Sequence, residues 1–169
     1  MQKISNLSEK NIHIGKNTII EEDVELGDGV WIGNFVHIRY NVRIGNWSHI
    51  RNWTFVEPDV TIGHNTRIMQ YCNITAGASI GNECFFAPGV ILLNDRKIAW
   101  PNTKDFIREA PVIEDKVKIG GNATILPGVR LCEGCVIGAG SLVAHNTQPW
   151  TIYVGNPARP FKKIDRLAL

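Results

Sequence analysis

The sequence predicts an all-β fold, a three-sided parallel β-solenoid, and three observations carry that prediction. Stepping by six from Ile14 gives Ile14, Ile20, Leu26, Ile32, Ile38, Ile44, Ile50, Val56, Ile62, Ile68, Ile74, Ile80, Phe86 and Leu92, all large and apolar. Four residues after each stands a small or β-branched companion, from Thr18, Val24 and Val30 through Cys72, Ala78, Cys84 and Val90. Gly, Asn or Asp often follows the large residue, as in "LGD", "IGN" and "IGH", where the chain must turn. Two coupled columns with a period of six exclude a helix, whose apolar face recurs every 3.6 residues.

Each hexad is a short extended piece that points its large residue and its companion inward, and three pieces complete one coil. Eighteen residues later the chain lies above itself, so Ile14, Ile32, Ile50, Ile68 and Phe86 form one inner stack. Ile20, Ile38, Val56, Ile74 and Leu92 form the second, and Leu26, Ile44, Ile62 and Ile80 the third. Repeats stacked in this way draw most of their stability from their neighbours.

The beat fails in "LLNDRKIAWPNTKDFIREAP", Leu92 to Pro111, which predicts a protruding loop over about 93–112. Ile98, Trp100 and Phe106 give it an apolar content that a disordered linker lacks, and loops this long usually carry function. The columns resume, shifted by three, at Ile113, Ile119, Ile125, Leu131, Ile137 and Val143, with Val117, Ala123, Val129, Cys135, Ser141 and Thr147 as companions. The tail, 150–169, turns through Gly155 and Pro157, and "FKKIDRLAL" is expected to form a short C-terminal helix.

One domain spanning 1–169 fits a chain of this length, which suffices for a sizeable core. No apolar run approaches the roughly 20 residues that cross a bilayer, so no membrane insertion is expected. The start "MQKISNLSEKN" lacks the apolar segment of a secretory signal, and the expected location is cytoplasmic. A formal charge of +2 gives no reason to expect nucleic acid as a partner. The cations are uneven: Arg96, Lys97, Lys104 and Arg108 crowd the loop, and Arg159, Lys162, Lys163 and Arg166 the tail, where either group could meet phosphates.

Cys132 and Cys135 have a spacing that can bind zinc, but Cys135, Cys72 and Cys84 occupy the inward column, where a free thiol packs as a small apolar residue. Five histidines, His13, His37, His49, His64 and His145, lack a spacing that would place three together on one face, so no metal is expected. His64, in a turn, is the candidate base among them. Trp31, Phe35, Trp47, Trp53, Phe55, Tyr71 and Phe85 fall between the inward positions and point outward. They would line a subunit interface or a wall for a flat ligand.

The pattern over roughly residues 12–160 resembles the hexapeptide-repeat family of left-handed parallel β-helix proteins. That resemblance implies the left-handed coil and a homotrimer with sites between subunits. The segment "APGVILLNDRKIAWP" resembles the nucleotide-linked amino sugar N-acetyltransferases of that family, in which an Asn opening the loop lies beside the acceptor amine and the acyl carrier. It implies a catalytic role for Asn94, followed by Asp95, although Leu92 and Leu93 replace the family's aromatic-Thr pair. "IGGNATILPGVRLCEGCVIGAGSLV" and "YVGNPARP" resemble the upper coils and terminal signature of acyl-CoA-dependent members. Gly120, Gly121, Gly138, Ala139 and Gly140 would let a thin pantetheine arm approach the backbone, and Gly155, Asn156, Pro157, Ala158 and Arg159 would complete an acetyl-CoA site.

Acyl transfer from a thioester needs a nucleophile, a destination for its proton and donors for the oxyanion. A sugar hydroxyl needs a positioned base, which the family's O-acetyltransferases supply with a histidine, whereas a free amine attacks unaided. The loop contains no histidine, so an amine acceptor is expected. Asn94 would orient the amine or the thioester carbonyl, Asp95 take a proton or hold the sugar, and an N–H near Gly120 or Gly121 serve the oxyanion. Arg96, Lys97, Trp100 and Arg108 would hold the substrate's nucleotide diphosphate and sugar. The expected function is an acetyl-CoA-dependent N-acetyltransferase for a nucleotide-linked amino sugar, in cell-surface polysaccharide (lipopolysaccharide) synthesis. A sugar O-acetyltransferase, a γ-type carbonic anhydrase and a non-enzymatic scaffold are the alternatives.

Overall fold

The computed structural model describes residues 10–97 and 107–165. Its coils stack as the columns require: Ile14 pairs with Ile32, Ile32 with Ile50, Ile68 with Phe86, and Ile119 with Ile137, all parallel and in register. Three sheets result. The first holds His13–Ile14, Trp31–Ile32, His49–Ile50, Arg67–Ile68, Phe85–Phe86, Lys118–Ile119, Val136–Ile137, Thr151–Gly155 and Ala158–Lys163. The second has seven two-residue strands from Ile19–Ile20 to Leu142–Val143, and the third has six from Glu25–Leu26 to Arg130–Leu131. No helix of the described residues is long and apolar enough to cross a membrane.

The two inward columns are the core. Ile32, Ile38, Ile50, Ile68, Ile74 and Phe86 are fully buried, as are the companions Val30, Val42, Val60, Val90 and Ala123. Each such Ile contributes about 1.5–3 kcal/mol relative to an exposed one. Polar companions are tolerated because their hydroxyls bridge coils. Ser48 Oγ donates to the Gly63 carbonyl at 2.7 Å and accepts from Thr66 N–H at 3.0 Å. Thr66 Oγ1 repeats this one coil higher, with Gly81 O and Cys84 N–H.

Most corners turn through a residue with positive φ, three positions past the inward large residue. Asn17, Asp23, Asn41, Asp59, Asn65 and Asn122 take it as residues whose short polar side chains tolerate αL. Phe35, Trp47, Trp53 and Tyr71 take the same position at φ 56°, 59°, 63° and 61°. An aromatic there costs about 1 kcal/mol or more of backbone strain, so these rings are held against local preference.

The loop is an insertion that leaves the register intact. The chain departs after Ile91–Leu92 and returns at Val112–Ile113, where Val112 pairs with Ser79 and Ile113 with Ile80. Its root is a short antiparallel ladder: Glu109 N–H donates to Asn94 O at 2.7 Å, Arg96 N–H to Ile107 O at 3.0 Å, and Asp95 bridges Arg108. Ile98, Trp100, Lys104 and Phe106 lie outside the described residues.

The tail corrects one expectation. Where a short helix was expected from Phe161, the strand Ala158–Lys163 runs antiparallel to Thr151–Gly155, with Gly155 opposite Ala158 and Thr151 opposite Lys163. A segment this short does not nucleate a helix alone, whereas the last strand of the first sheet offers it a row of backbone partners. Residues 166–169, where the helix would have continued, lie outside the described residues.

Candidate functional site

Asn94 sits at the root of the loop with 9% of its surface exposed. Its Nδ2 donates to Ala76 O at 3.1 Å, which ties the start of the loop to the coil below. Arg96 grips both oxygens of Glu109 at 2.7 and 2.8 Å. The Glu109 carbonyl in turn accepts Gly128 N–H at 2.7 Å, tying the end of the loop to the coil above. The Arg96–Glu109 pair is largely exposed, so it fixes the direction of the guanidinium more than it stabilises the fold. Lys97 and Arg108 also have partners, while Trp100 lies outside the described residues.

His64 leaves the corner after the third sheet and Asn94 the corner after the second, so one protomer does not bring them together. The imidazole has a structural role. Asp28 N–H donates to Asn46 Oδ1 at 3.0 Å, Asn46 N–H to His64 Nδ1 at 2.9 Å, and His64 N–H to Asn82 Oδ1 at 2.8 Å. Asn82 N–H then donates to Asp115 Oδ1 at 2.7 Å. His64 thus fills an Asn position in a ladder, and its neutral form carries the proton on Nε2. The residue lines a broad open trough of about 1020 Å³ along the third sheet, with Arg43, Thr61 and Asn82.

The upper glycines divide into two kinds. A Cβ on Gly120 would stand 2.4 Å from Ala139 N, and one on Gly138 2.8 Å from Val154 Cγ1, so both are glycine because the next coil lies against them. Gly121 has Pro88 O at 3.1 Å. Gly140, at φ +67°, has nothing within 4 Å of the equivalent point and faces open space. Gly120 N–H is committed to Ile137 O at 2.8 Å; among the described residues Gly121 N–H has no such acceptor, so of the two it alone can serve an oxyanion. Ala139 lies in the same turn, beside Gly140. Gly155 N–H donates to Ser141 Oγ at 3.1 Å, which fastens the tail hairpin of Gly155, Asn156, Pro157, Ala158 and Arg159 to the last coil.

The inward thiols pack as buried groups. Burial pushes Cys72 and Cys135 up to about 11 and Cys84 to about 12, and Cys132 is raised by the same cause. Cys72 Sγ lies 3.3 Å from Ala87 O and Cys84 Sγ 3.1 Å from Glu114 O, as packed thiols do. Among the described residues no three His, Cys, Asp or Glu side chains converge closely enough to hold a metal ion.

The first sheet carries a different surface. Its outward row reads His13, Trp31, His49, Arg67, Phe85 and Lys118, and the adjoining corner stacks Phe35 on Trp53 (4.1 Å, 4°) and Trp53 on Tyr71 (6.5 Å, 7°). The Arg51 guanidinium lies 4.6 Å over the Trp31 ring. Burial, then Arg67 and Arg51, hold His49 below its ordinary pKa. On the other two faces arginines meet carboxylates: Arg39 with Glu21, Arg43 with Glu25 and Arg130 with Glu114. The sequence placed these aromatics outside the prism; their eighteen-residue spacing at 35, 53 and 71 was the visible sign that they form a stack.

The bacterial transferase hexapeptide (six repeats) profile matches residues 23–58, 59–94 and 110–145. A Schizosaccharomyces pombe protein whose name proposes acetyltransferase activity is 49% identical over 53 residues, 31% of this chain and 26% of that protein. A Lysinibacillus sphaericus protein named "Probable macrolide acetyltransferase" is 41% identical over 69 residues, 38% of each. The chain therefore spans well under two thirds of the curated relatives it matches. The fold is similar to that of AntD, a Bacillus cereus N-acyltransferase solved as a variant with dTDP-4-amino-4,6-dideoxyglucose and coenzyme A. The TM-score is 0.59 and the identity 24%, over 91% of this chain and 87% of that one.

Proposed function

The chain belongs to the bacterial transferase hexapeptide family, and from that premise we propose that it is an acetyl-CoA-dependent N-acetyltransferase acting on a nucleotide-linked amino sugar. The observation that carries this reading is the loop root: a buried Asn94 whose amide is fixed by Ala76 O, on a loop that has no histidine. A hydroxyl acceptor would need a base there. His64 leaves another corner, and its Nδ1 is occupied by Asn46 N–H; His145 leaves the same corner as Asn94 but two coils above it. An amine that has lost its proton to solvent needs orientation only, and a carboxamide locked at one end can provide it.

Acetyl-CoA supplies an activated acyl thioester. The open corner at Gly140, beside Ala139, accepts a narrow chain without displacing backbone, and Gly121 N–H is available as an oxyanion donor. Arg159 on the tail hairpin is the phosphate ligand in this reading, and Asp95 holds the sugar or relays to the leaving thiolate the proton that the attacking amine gives up. The reaction forms one N–C bond and breaks one C–S bond, the thiol leaving with the proton that the amine gives up.

The assembly in this reading is a homotrimer in the cytoplasm, with each loop reaching a neighbour's wall. The product feeds cell-surface polysaccharide. A similar fold in AntD, which was solved with an amino sugar nucleotide and coenzyme A, supports the acceptor class. The Lysinibacillus relative, named for macrolides, keeps a second acceptor class in view.

The test is an acceptor screen: UDP-, dTDP- and GDP-linked amino sugars, with a macrolide as comparator, incubated with acetyl-CoA while free thiol is followed. Turnover on an amino sugar nucleotide is expected. Turnover on the macrolide alone would replace this reading.

A further inference from the structure

The ring stack on the first corner ends at Tyr71. Phe35, Trp53 and Tyr71 rise one above another, and the next residue in that column is Gly89, where the Asn122 carboxamide of the following coil takes the space a side chain would fill. Tyr71 is 63% exposed and Trp53 50%. These rings occupy αL positions that Asn, Asp or Gly fill on most other corners, and among the described residues their ring neighbours on this corner are each other.

Beside them is a groove of about 410 Å³ lined by Trp31, Arg51, Asn52, Trp53, Gln70 and Tyr71. Its volume falls in the range of small-molecule sites. Among the described residues neither Arg51 nor Arg67 has a carboxylate partner, in contrast to the arginines of the other two faces. No acidic residue occurs in the outward row from His13 to Lys118, nor in the corner rows that include Lys16, Asn34, Asn52 and Gln70. The Arg51 guanidinium carbon lies 4.6 Å over the Trp31 ring, and a guanidinium held on an aromatic face suits an anion.

We propose that this groove binds the nucleoside diphosphate part of the acceptor, with the base against the exposed ring of Tyr71 and the phosphates on Arg51. The proposal rests on the amino sugar nucleotide reading above and relocates the nucleotide from the loop cations, where Arg96 is already paired with Glu109, to the first sheet. Gln70, in the lining, offers its amide to the edge of the base, while Asn52 Oδ1 is held by Asn34 N–H at 3.0 Å. A neutral sugar would use the rings but not an unpaired arginine, and a simple anion would use the arginine but not the rings. A nucleotide uses both.

The test titrates UDP, dTDP and GDP, and the matching nucleosides, into the intact assembly by calorimetry, with circular dichroism and light scattering on each variant. The wild type should bind at least one diphosphate. Tyr71→Ala should weaken it about tenfold or more while Tyr71→Phe does not, the size expected for loss of one stacked base. Arg51→Gln should weaken the diphosphate and leave the nucleoside unchanged. If a diphosphate binds the wild type and both variants equally, the groove assignment is overturned while the acceptor reading stands. If Tyr71→Ala dissociates the assembly without changing the affinity of the folded subunit, the stack is a subunit contact and the proposal is wrong. If no diphosphate binds and the enzyme acetylates an amine without a nucleotide, both readings fall.

Discussion

The backbone N–H of Asn46 donates to Nδ1 of His64 at 2.9 Å, the place an Asn side-chain oxygen fills on the coils below and above. An imidazole here is a rung of the ladder. His64→Asn should therefore fold and turn over like the wild type, whereas His64→Ala should cost about 1 kcal/mol by orphaning one N–H. Thermal melts and initial rates on both variants check this; a large rate loss in a stably folded His64→Asn would make His64 a base after all.

Asn94 combines a structural bond with the proposed chemistry. Asn94→Ala should lower stability by about 1–2 kcal/mol, through the lost bond to Ala76 O. It should lower kcat by much more than that loss of fold explains. Rates measured well below the melting temperature, where the variant is fully folded, separate the two effects.

Gly120 and Gly140 should respond differently to the same methyl group. Gly120→Ala forces Cβ to within 2.4 Å of Ala139 N and should destabilise the upper coils outright. Gly140→Ala meets no protein atom, so beyond roughly 1 kcal/mol of backbone strain its effect should appear as a raised KM for acetyl-CoA. An unchanged KM would move the coenzyme away from that corner.

His49 predicts a direction for pH dependence. Burial and two arginines hold its folded pKa below the ordinary 6.5. The unfolded chain therefore binds the proton more readily, and stability should fall as pH drops through about 6.5 toward the lowered folded pKa. His49→Gln should flatten the slope of melting temperature between pH 7 and 5.5.

The thiols test the core directly. Cys72, Cys84 and Cys135, with their pKa values raised to about 11–12, should resist a disulfide reagent until the protein unfolds, while the half-buried Cys132 reacts first. Counting thiols released in native buffer and again in denaturant gives the answer.

The solenoid was legible because its burial is one-dimensional: each inward residue, from Ile14 to Val143, has the same environment eighteen residues on, so the periodicity shows in sequence. The loop was legible as an interruption. Its root was not, because the ladder of Asp95, Arg96, Ile107 and Arg108 is too short to impose a pattern. The role of His64 was hidden because a ring nitrogen and an amide oxygen accept the same bond and differ in every propensity. Gly120 and Gly138 read as space for a ligand, yet the next coil fills it. The tail read as a helix because its partner, Thr151–Gly155, is set by the end of the first sheet and by nothing local.

The most direct test is the linkage in the product. The acetylated acceptor from a reaction with acetyl-CoA and an amino sugar nucleotide, isolated and treated with neutral hydroxylamine, should keep its acetyl group, as an amide does. Release of the acetyl group would reveal an ester, and with it a hydroxyl acceptor and a base that the loop root does not contain.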